Sequence, residues 1–459
     1  MDEVNHNTLG LKKVGRKISG SLGIKALVLV FMGLILMIPL AMIDGLLNER
    51  QYRKAEAVAE IGHSWGGQQT VCGPILSLPV VFKKEVVKKR LINGIESFER
   101  TMDEKKDTLY VLPNEVEMSG RLDPDVLKRG IFSAAVYRAS VELGAAWTKP
   151  DVRAMGYEDV TVEWAKATVL FNVTEPQRLL SIRAVSFDDT ELAGEPVRLP
   201  LSNREWIGFP ADWSNQSGLE VNLGLEIKGS ERFHFLVLGD ESEVNLNSSW
   251  AHPSFEGTSI PLQRTVRDNG FEANWKFSAF GRGLPKHWLS TSDVFSDALV
   301  NRSSSGVALI DPVDNYRLAE RSMKYGALFV ALGFVVFFLF EAILGIRLHG
   351  MQYFLAGAAQ VLFFLIVLAL SEIVAFSWAY LIGAIASAGL VSLYAISMLG
   401  NRRRSVPVVS ILASLYGVLF VILKEQDYAL LAGSALLFLA LATVMFLTRK
   451  LDWAGSRAT

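Results

Sequence analysis

The sequence predicts an α + β membrane protein: one transmembrane helix, a large, mainly antiparallel β-sandwich-like domain, then five more transmembrane helices. Two observations predict it. Six stretches are apolar and long enough to cross a bilayer, and they fall one near the start and five in close succession at the end. A crossing needs about 20 mostly apolar residues for roughly 30 Å of hydrocarbon. The long interval between the first stretch and the rest has none; there, short β-branched and aromatic runs alternate with polar residues. A mean hydropathy of +0.28, with 50% of the 459 residues hydrophobic, agrees with membrane segments.

Residues 26–43 carry no charge, and the first helix is predicted over 26–47. No small-x-small cleavage site follows it, so it reads as an uncleaved anchor rather than a signal peptide. The other five helices are predicted over 325–346, 351–370, 373–399, 406–423 and 428–447, and Glu341 is the one charge within their apolar cores. Backbone polar groups in lipid must be satisfied within the segment, which makes these stretches helices.

Charge sets the orientation. Lys12, Lys13, Arg16, Lys17 and Lys25 precede the first helix. Arg347 with His349, Arg402–Arg404, and Arg449 with Lys450 flank the later ones on the same side. Opposite loops hold only Ser371-Glu372 and Lys424-Glu425-Gln426-Asp427. The positive-inside rule then places residues 1–25 and the tail 449–459 on the cytoplasmic side. It places residues 48–324 on the opposite, outer side, and 325–448 form the five-helix bundle.

In the outer segment the runs 75–82, 109–112, 160–173, 179–187, 220–227, 231–237 and 271–280 read as strands. Asn93-Gly94, Asp123-Pro124, Lys228-Gly229-Ser230 and Asn269-Gly270 read as turns between them. Ten to sixteen strands are expected. Residues 49–62 look helical and extend the first span outward, and 311–324 lead back to the second.

Signals for chemistry are sparse. The histidines of the outer segment, His63, His234, His252 and His287, have no metal-ligand spacing, and Cys72 is the only cysteine, so neither zinc site nor intrachain disulfide is expected. No nucleophile elbow, Walker loop or dinucleotide fingerprint occurs. Asp188-Asp189 and Asp240-Glu241 sit beside turn residues, as solvated carboxylates do. No cofactor and no catalytic residue is expected. A net charge of -1 gives no field for nucleic acid.

Ionisable groups near the bundle weigh more, because hydrocarbon penalises them. Glu341 lies about one turn inside the cytoplasmic end of its helix; Glu372 and Asp44 sit at outer ends. Each has an ordinary reading, reaching water or a base such as Arg347. The stretch Trp250-Ala251-His252-Pro253-Ser254-Phe255-Glu256-Gly257 is either a binding loop or a turn whose aromatics plug the sandwich.

Several segments together resemble a known family. They are Asn48-Glu49-Arg50-Gln51-Tyr52-Arg53, Trp65-Gly66, Gly73-Pro74-Ile75-Leu76-Ser77-Leu78-Pro79, Trp250 through Gly257, Pro312-Val313-Asp314-Asn315-Tyr316, Phe340-Glu341, His349-Gly350-Met351-Gln352-Tyr353, Leu370-Ser371-Glu372 and Thr448-Arg449-Lys450-Leu451-Asp452-Trp453. In colinear order over about 34–453 they resemble the CreD family of bacterial inner-membrane proteins. The family often has Ser-Glu-His where this chain has Ser371-Glu372-Ile373, so any role of that histidine is absent. The resemblance implies a link to cell-envelope integrity and, in some Gram-negative bacteria, expression under a two-component stress-response system. It implies no catalytic residue, cofactor or transported substrate.

Three functions are weighed. One is a non-enzymatic envelope protein whose outer domain binds a periplasmic protein or lipid partner. The second is a carrier of a lipid-like or amphipathic envelope molecule, and the third a membrane enzyme. Glu49, Arg50, Trp250, His252, Pro312, Asp314, Tyr316, Glu341 and Glu372 are the candidate structural or functional residues. Glu49-Arg50 and 312–324 are expected to pack together at the junction of membrane and domain.

Overall fold

The computed structural model describes residues 22–92, 95–155, 160–186, 190–199, 202–292, 294–310, 315–344, 348–399, 402–424 and 429–449. The chain forms two compact units, Met1–Lys54 with Val313–Thr459, and Ala55–Pro312.

The first unit is helical. Helix α1 (Leu22–Trp65) begins here and is continuous into the second unit. Helix α2 (Asp297–Ser303) belongs to the second unit. The first unit continues with α3 (Asn315–Lys324), α4 (Gly326–Leu344), α5 (Gly350–Ser371), α6 (Phe376–Leu399), α7 (Arg402–Lys424) and α8 (Ala429–Thr448). Among the described residues, three helices are long and apolar enough to cross a membrane by themselves: Lys25–Trp65, Gly350–Ser371 and Phe376–Ser397. The pair Asn315–Lys324 and Gly326–Glu341, bent by 49°, makes a fourth if it is one span. Val409–Lys424 and Leu431–Leu447 are shorter apolar helices, so the six spans expected from hydropathy meet the length criterion only in part.

Small residues bring these helices close. A Cβ on Gly357 of α5 would fall against Leu36 of α1 and Phe334 of α4, and one on Gly326 against Leu40. Without water to drive association, such close backbone approach is how apolar helices gain contact. An aromatic cluster fills the centre, with Phe329 and Tyr416 rings 4.6 Å apart and Phe363 and Tyr380 rings 5.1 Å apart. Ser387 Oγ donates to Ala359 O at 2.8 Å, and Tyr380 OH donates to Tyr416 O at 2.7 Å.

The second unit is two sheets. Its strands are β1 (Gln69–Ile92), β2 (Ile95–Val111), β3 (Glu115–Arg129), β4 (Phe132–Thr148), β5 (Val160–Val162), β6 (Thr168–Val173), β7 (Leu179–Ser186), β8 (Glu191–Leu192) and β9 (Glu195–Arg198). There follow β10 (Glu205–Pro210), β11 (Gly218–Ser230), β12 (Arg232–Val237), β13 (Glu241–Ser248), β14 (Pro253–Gly257), β15 (Gln263–Arg267), β16 (Gly270–Ser278), β17 (His287–Leu289) and β18 (Ser305–Leu309). Ten form one sheet, with the path β14-β18-β12-β1-β6-β10-β9 and with β2, β17 and β5 attached beside β1. Eight form the other, ordered β15-β16-β13-β3-β4-β11-β7-β8. Among the described residues neither closes into a barrel.

Most described pairings are antiparallel, with β1 running parallel to β12 and β3 parallel to β13. Three expectations are corrected here. The 18 strands among the described residues exceed the ten to sixteen expected. The run 160–173 is two strands split by a 3-10 turn at Trp164–Lys166, and Asp123-Pro124 lies within β3, the hairpin turning instead at Gly130, whose φ of +63° suits a residue without Cβ. Asn93-Gly94, between the paired Ile92 and Ile95, lies outside the described residues.

The main core lies between the sheets. Strand β3 alternates exposed and buried from Glu115 to Gly120, sending Val116 and Met118 inward to a core shared with Val71, Leu76, Phe171 and Trp275. The first sheet is covered on its other face too, where Cys72, Leu170, Trp206, Trp288 and Val300 of α2 form a second core. A strand buried on both faces has no polar side, which is why Val169–Val173 is wholly buried and its alternation imperfect. The last turns of α1 lie on the β3–β4 hairpin, with Ile61 against Ala134 and Val136, and Trp65 Nε1 donates to Tyr137 O at 3.3 Å.

Candidate functional site

The helical unit carries two charge clusters on α1. At the first, Lys25 Nζ pairs with the Glu341 carboxylate, which also accepts from Tyr353 OH at 2.7 Å. Glu341 is only 6% exposed, so in an apolar setting the lysine and the phenol are what make its charge tolerable. The base is therefore Lys25; Arg347, the neighbour expected from sequence, lies outside the described residues.

The second cluster joins α1, α3 and the turn after α5. Arg50 Nε lies 3.3 Å from Glu372 Oε1, and Tyr316 OH donates to the same oxygen at 3.4 Å. Asn315 Nδ2 donates to Ser371 O at 2.7 Å and its Oδ1 accepts from Phe376 N at 3.1 Å, which caps the entry to α6. Gln51 reaches Glu320 at 3.3 Å, and the Lys54 ammonium lies 5.8 Å from the Tyr316 ring centroid. Twenty-five residues of helix separate Lys25 from Arg50, about 37 Å at 1.5 Å per residue. That is the hydrocarbon thickness plus part of each headgroup layer.

The structure thus brings Arg50, Tyr316 and Glu372 together. Glu49 is apart from them, pairing at 2.6 Å with Arg53 on an exposed face. Pro312 and Asp314 lie outside the described residues. Asp44 is exposed on α1. Trp250 packs against the sandwich core and its Nε1 donates to Ile310 O at 3.0 Å. His252 O accepts from Ile310 N at 3.3 Å, so this stretch leads into strand β14 rather than forming a free loop. Among the described residues no three His, Cys, Asp or Glu side chains are grouped to hold a metal.

Two features escaped the sequence. Gln360 of α5 is 1% exposed, and neither its amide nitrogen nor its oxygen has a hydrogen-bond partner among the described residues; it faces Gly333 of α4. The other is a trough of about 580 Å³ on the exposed face of the eight-stranded sheet, lined among others by Glu117, Glu142, Gly144, Asn222, Gly224 and Asn245. Its members come from five strands, and only their register brings them together.

Electrostatics in the sheet unit are local. Burial acts to raise the Asp240 pKa, but hydrogen bonds from Lys286 and Arg282 outweigh it and hold the carboxyl below its usual range. Burial keeps His234 below its ordinary value against the pull of Glu256, which pairs with Arg232 at 3.1 Å.

Helices fit to cross a bilayer, charge clusters 25 residues apart on α1, and a large mixed-sheet unit define an integral membrane protein with a large sheet-rich domain. The chain belongs to the CreD family: the family model described as Inner membrane protein CreD matches residues 21–454. It is similar to Inner membrane protein CreD of Escherichia coli (strain K12), 30% identical over 424 residues that cover 92% of this chain and 91% of that one.

Proposed function

We propose that this protein supports cell-envelope integrity as a non-catalytic binding protein. In this reading the chain crosses the inner membrane six times, with both termini in the cytoplasm and the sheet-rich unit in the periplasm. The basic residues before α1, Arg402–Arg404 at the start of α7, and those after α8 support that orientation. α7 and α8 cross despite their shorter apolar cores by using the flanking Lys424 and Arg449, whose long side chains reach the interface.

One observation carries the binding reading: the sheet-rich unit has an interior filled by side chains and an open, polar face. Trp213, Trp275, Tyr137 and Phe171 are fully buried within it. Its described grooves mix charged, amide and hydroxyl groups with aliphatic and aromatic ones such as Val185 and Phe271. A carrier of a lipid-like molecule would need an apolar groove in that unit, whereas the apolar grooves described lie on the helices.

The test is a strain lacking this chain, assayed for detergent tolerance and dye entry, alongside native mass spectrometry of the purified protein. The proposal expects an envelope defect restored by the intact chain, and only loosely held bulk phospholipid on the protein. No defect in the deletion strain would contradict the envelope role. One lipid retained per chain, at fixed stoichiometry, would favour a carrier instead.

A further inference from the structure

The exposed face of the eight-stranded sheet is built in rows. Register places Arg183, Gly224, Glu142, Ser119, Asn245 and Asn274 side by side across six strands. The neighbouring row runs Val185, Asn222, Gly144, Glu117, Glu243 and Lys276. Strands lie about 4.8 Å apart, so each row extends for about 24 Å. The trough of about 580 Å³ follows these rows.

Its floor is made by two glycines in strand interiors, where glycine is unfavourable. Neither has a left-handed φ, so backbone conformation does not require them. A Cβ on Gly224 would meet nothing within 4 Å, so packing does not require that glycine either. A Cβ on Gly144 would approach Asn222 Oδ1 at 3.1 Å, narrowing the same space. What the missing side chains leave is room above the backbone, the arrangement found where a ligand approaches a strand closely.

The walls carry both donors and acceptors. Asn274 Nδ2 donates to Glu243 Oε1 and to Asn245 Oδ1, each at 2.7 Å, which fixes both acceptors. Lys276 lies 3.2 Å from Glu243, so that carboxylate is held on two sides. Arg183, which sits 3.7 Å from Glu191, closes the other end. A ligand matching this wall has hydroxyl and amide groups that both give and accept hydrogen bonds. With Glu117, Glu142 and Glu243 against Arg183 and Lys276, the surface excess is negative and disfavours phosphate or uronate groups. A pyranose repeat is close to the interstrand spacing in length.

We propose that this trough binds an extended, non-anionic amino-sugar chain laid across the strands over Gly144 and Gly224. The inference rests on the binding role given above and names the ligand class for it. The chain's N-acetyl groups would meet the amides of Asn222 and Asn245, and its hydroxyls the carboxylates of Glu117 and Glu142.

The test is calorimetry on the purified full-length protein with β-1,4 hexamers of N-acetylglucosamine and of glucosamine, and with hexalysine as a charge control. Saturable binding of the N-acetylglucosamine hexamer, weakened at least tenfold by Gly224→Val with thermal stability kept, is the expected result. Valine suits a strand and its Cβ has open space, so this variant is expected to fold; Glu142→Gln, which keeps the shape, gives a second and smaller loss. No binding of either hexamer overturns the proposal, as does unchanged affinity in both variants. Binding of only the glucosamine hexamer and hexalysine, abolished by salt, overturns it as well and leaves an acidic surface for cationic peptides. Complementation separates the two readings: a deletion strain rescued by Gly224→Val keeps the envelope role and removes the sugar trough from it.

Discussion

Arg50 Nε, on the helix that begins at Leu22, lies 3.3 Å from Glu372 Oε1 at the end of α5, with Tyr316 OH on the same carboxylate. Side-chain exposures of 34% and 18% make the pair neither a free surface contact nor a fully buried one. Arg50→Glu sets two carboxylates against each other and is expected to lower stability by roughly 1–2 kcal/mol. The exchange Arg50→Glu with Glu372→Arg should recover at least half of the loss. Thermal unfolding of the four proteins in one detergent reads the cycle, and additive losses would show that the two residues do not interact.

Gln360 places an unsatisfied amide among apolar side chains. Gln360→Leu removes that penalty at similar volume and should raise stability by about 1–3 kcal/mol. Gly333→Ala should do the reverse, because its Cβ would fall on the Gln360 side chain. A leucine variant less stable than the parent would mean that the amide has a partner in the membrane.

Acid should destabilise the sheet-rich unit over two pH ranges. His234 has a folded pKa below its ordinary 6.5, set by burial, so the unfolded chain binds a proton first. Its contribution is present above pH 6.5 and is lost as pH falls through the folded value. Asp240 and Asp107 have folded pKa values below 3.8, where hydrogen bonds overcome burial, so their contribution is present above that pH and lost below it. Asp240→Asn should flatten the acid limb below about pH 4 and, by leaving Arg282 without its charge partner, cost about 1–3 kcal/mol at pH 7. Melting temperatures from pH 2 to 8 check both ranges.

Cys72 is fully buried, and burial pushes its thiol up to about 12. It should stay silent to thiol reagents at pH 8 in the native protein and react once per chain after unfolding. Reaction at native conditions would mean that β1 opens.

The residue pattern made the helical part and the sheet-rich part legible for a simple reason: lipid demands unbroken apolar runs, and a half-exposed strand demands alternation. Where a strand is covered on both faces, as at Val169–Val173, alternation disappears and with it the strand boundary. Pro124 read as a turn because proline usually interrupts a ladder, yet it pairs with Tyr137 inside β3. Arg50 and Tyr316 fall in two segments expected to pack together and Glu372 stands out as an ionisable group at an apolar boundary, but no spacing shows that the three share one site. Lys25 was read only for orientation, although it is the partner of Glu341. Gly144 and Gly224 gave no signal, because each matters only through the cross-strand register that puts them diagonally beside each other.

Membrane placement is the claim on which the rest depends, and the silent Cys72 makes it directly measurable. Ser217→Cys, on an exposed loop of the sheet-rich unit, and Thr459→Cys, at the C-terminus, are each introduced singly, and whole cells with a permeabilised outer membrane are treated with a maleimide that cannot cross the inner membrane. The account predicts labelling of Ser217→Cys in these cells and of Thr459→Cys only after lysis. Labelling of Thr459→Cys before lysis, with Ser217→Cys protected, would put the sheet-rich unit in the cytoplasm and contradict it.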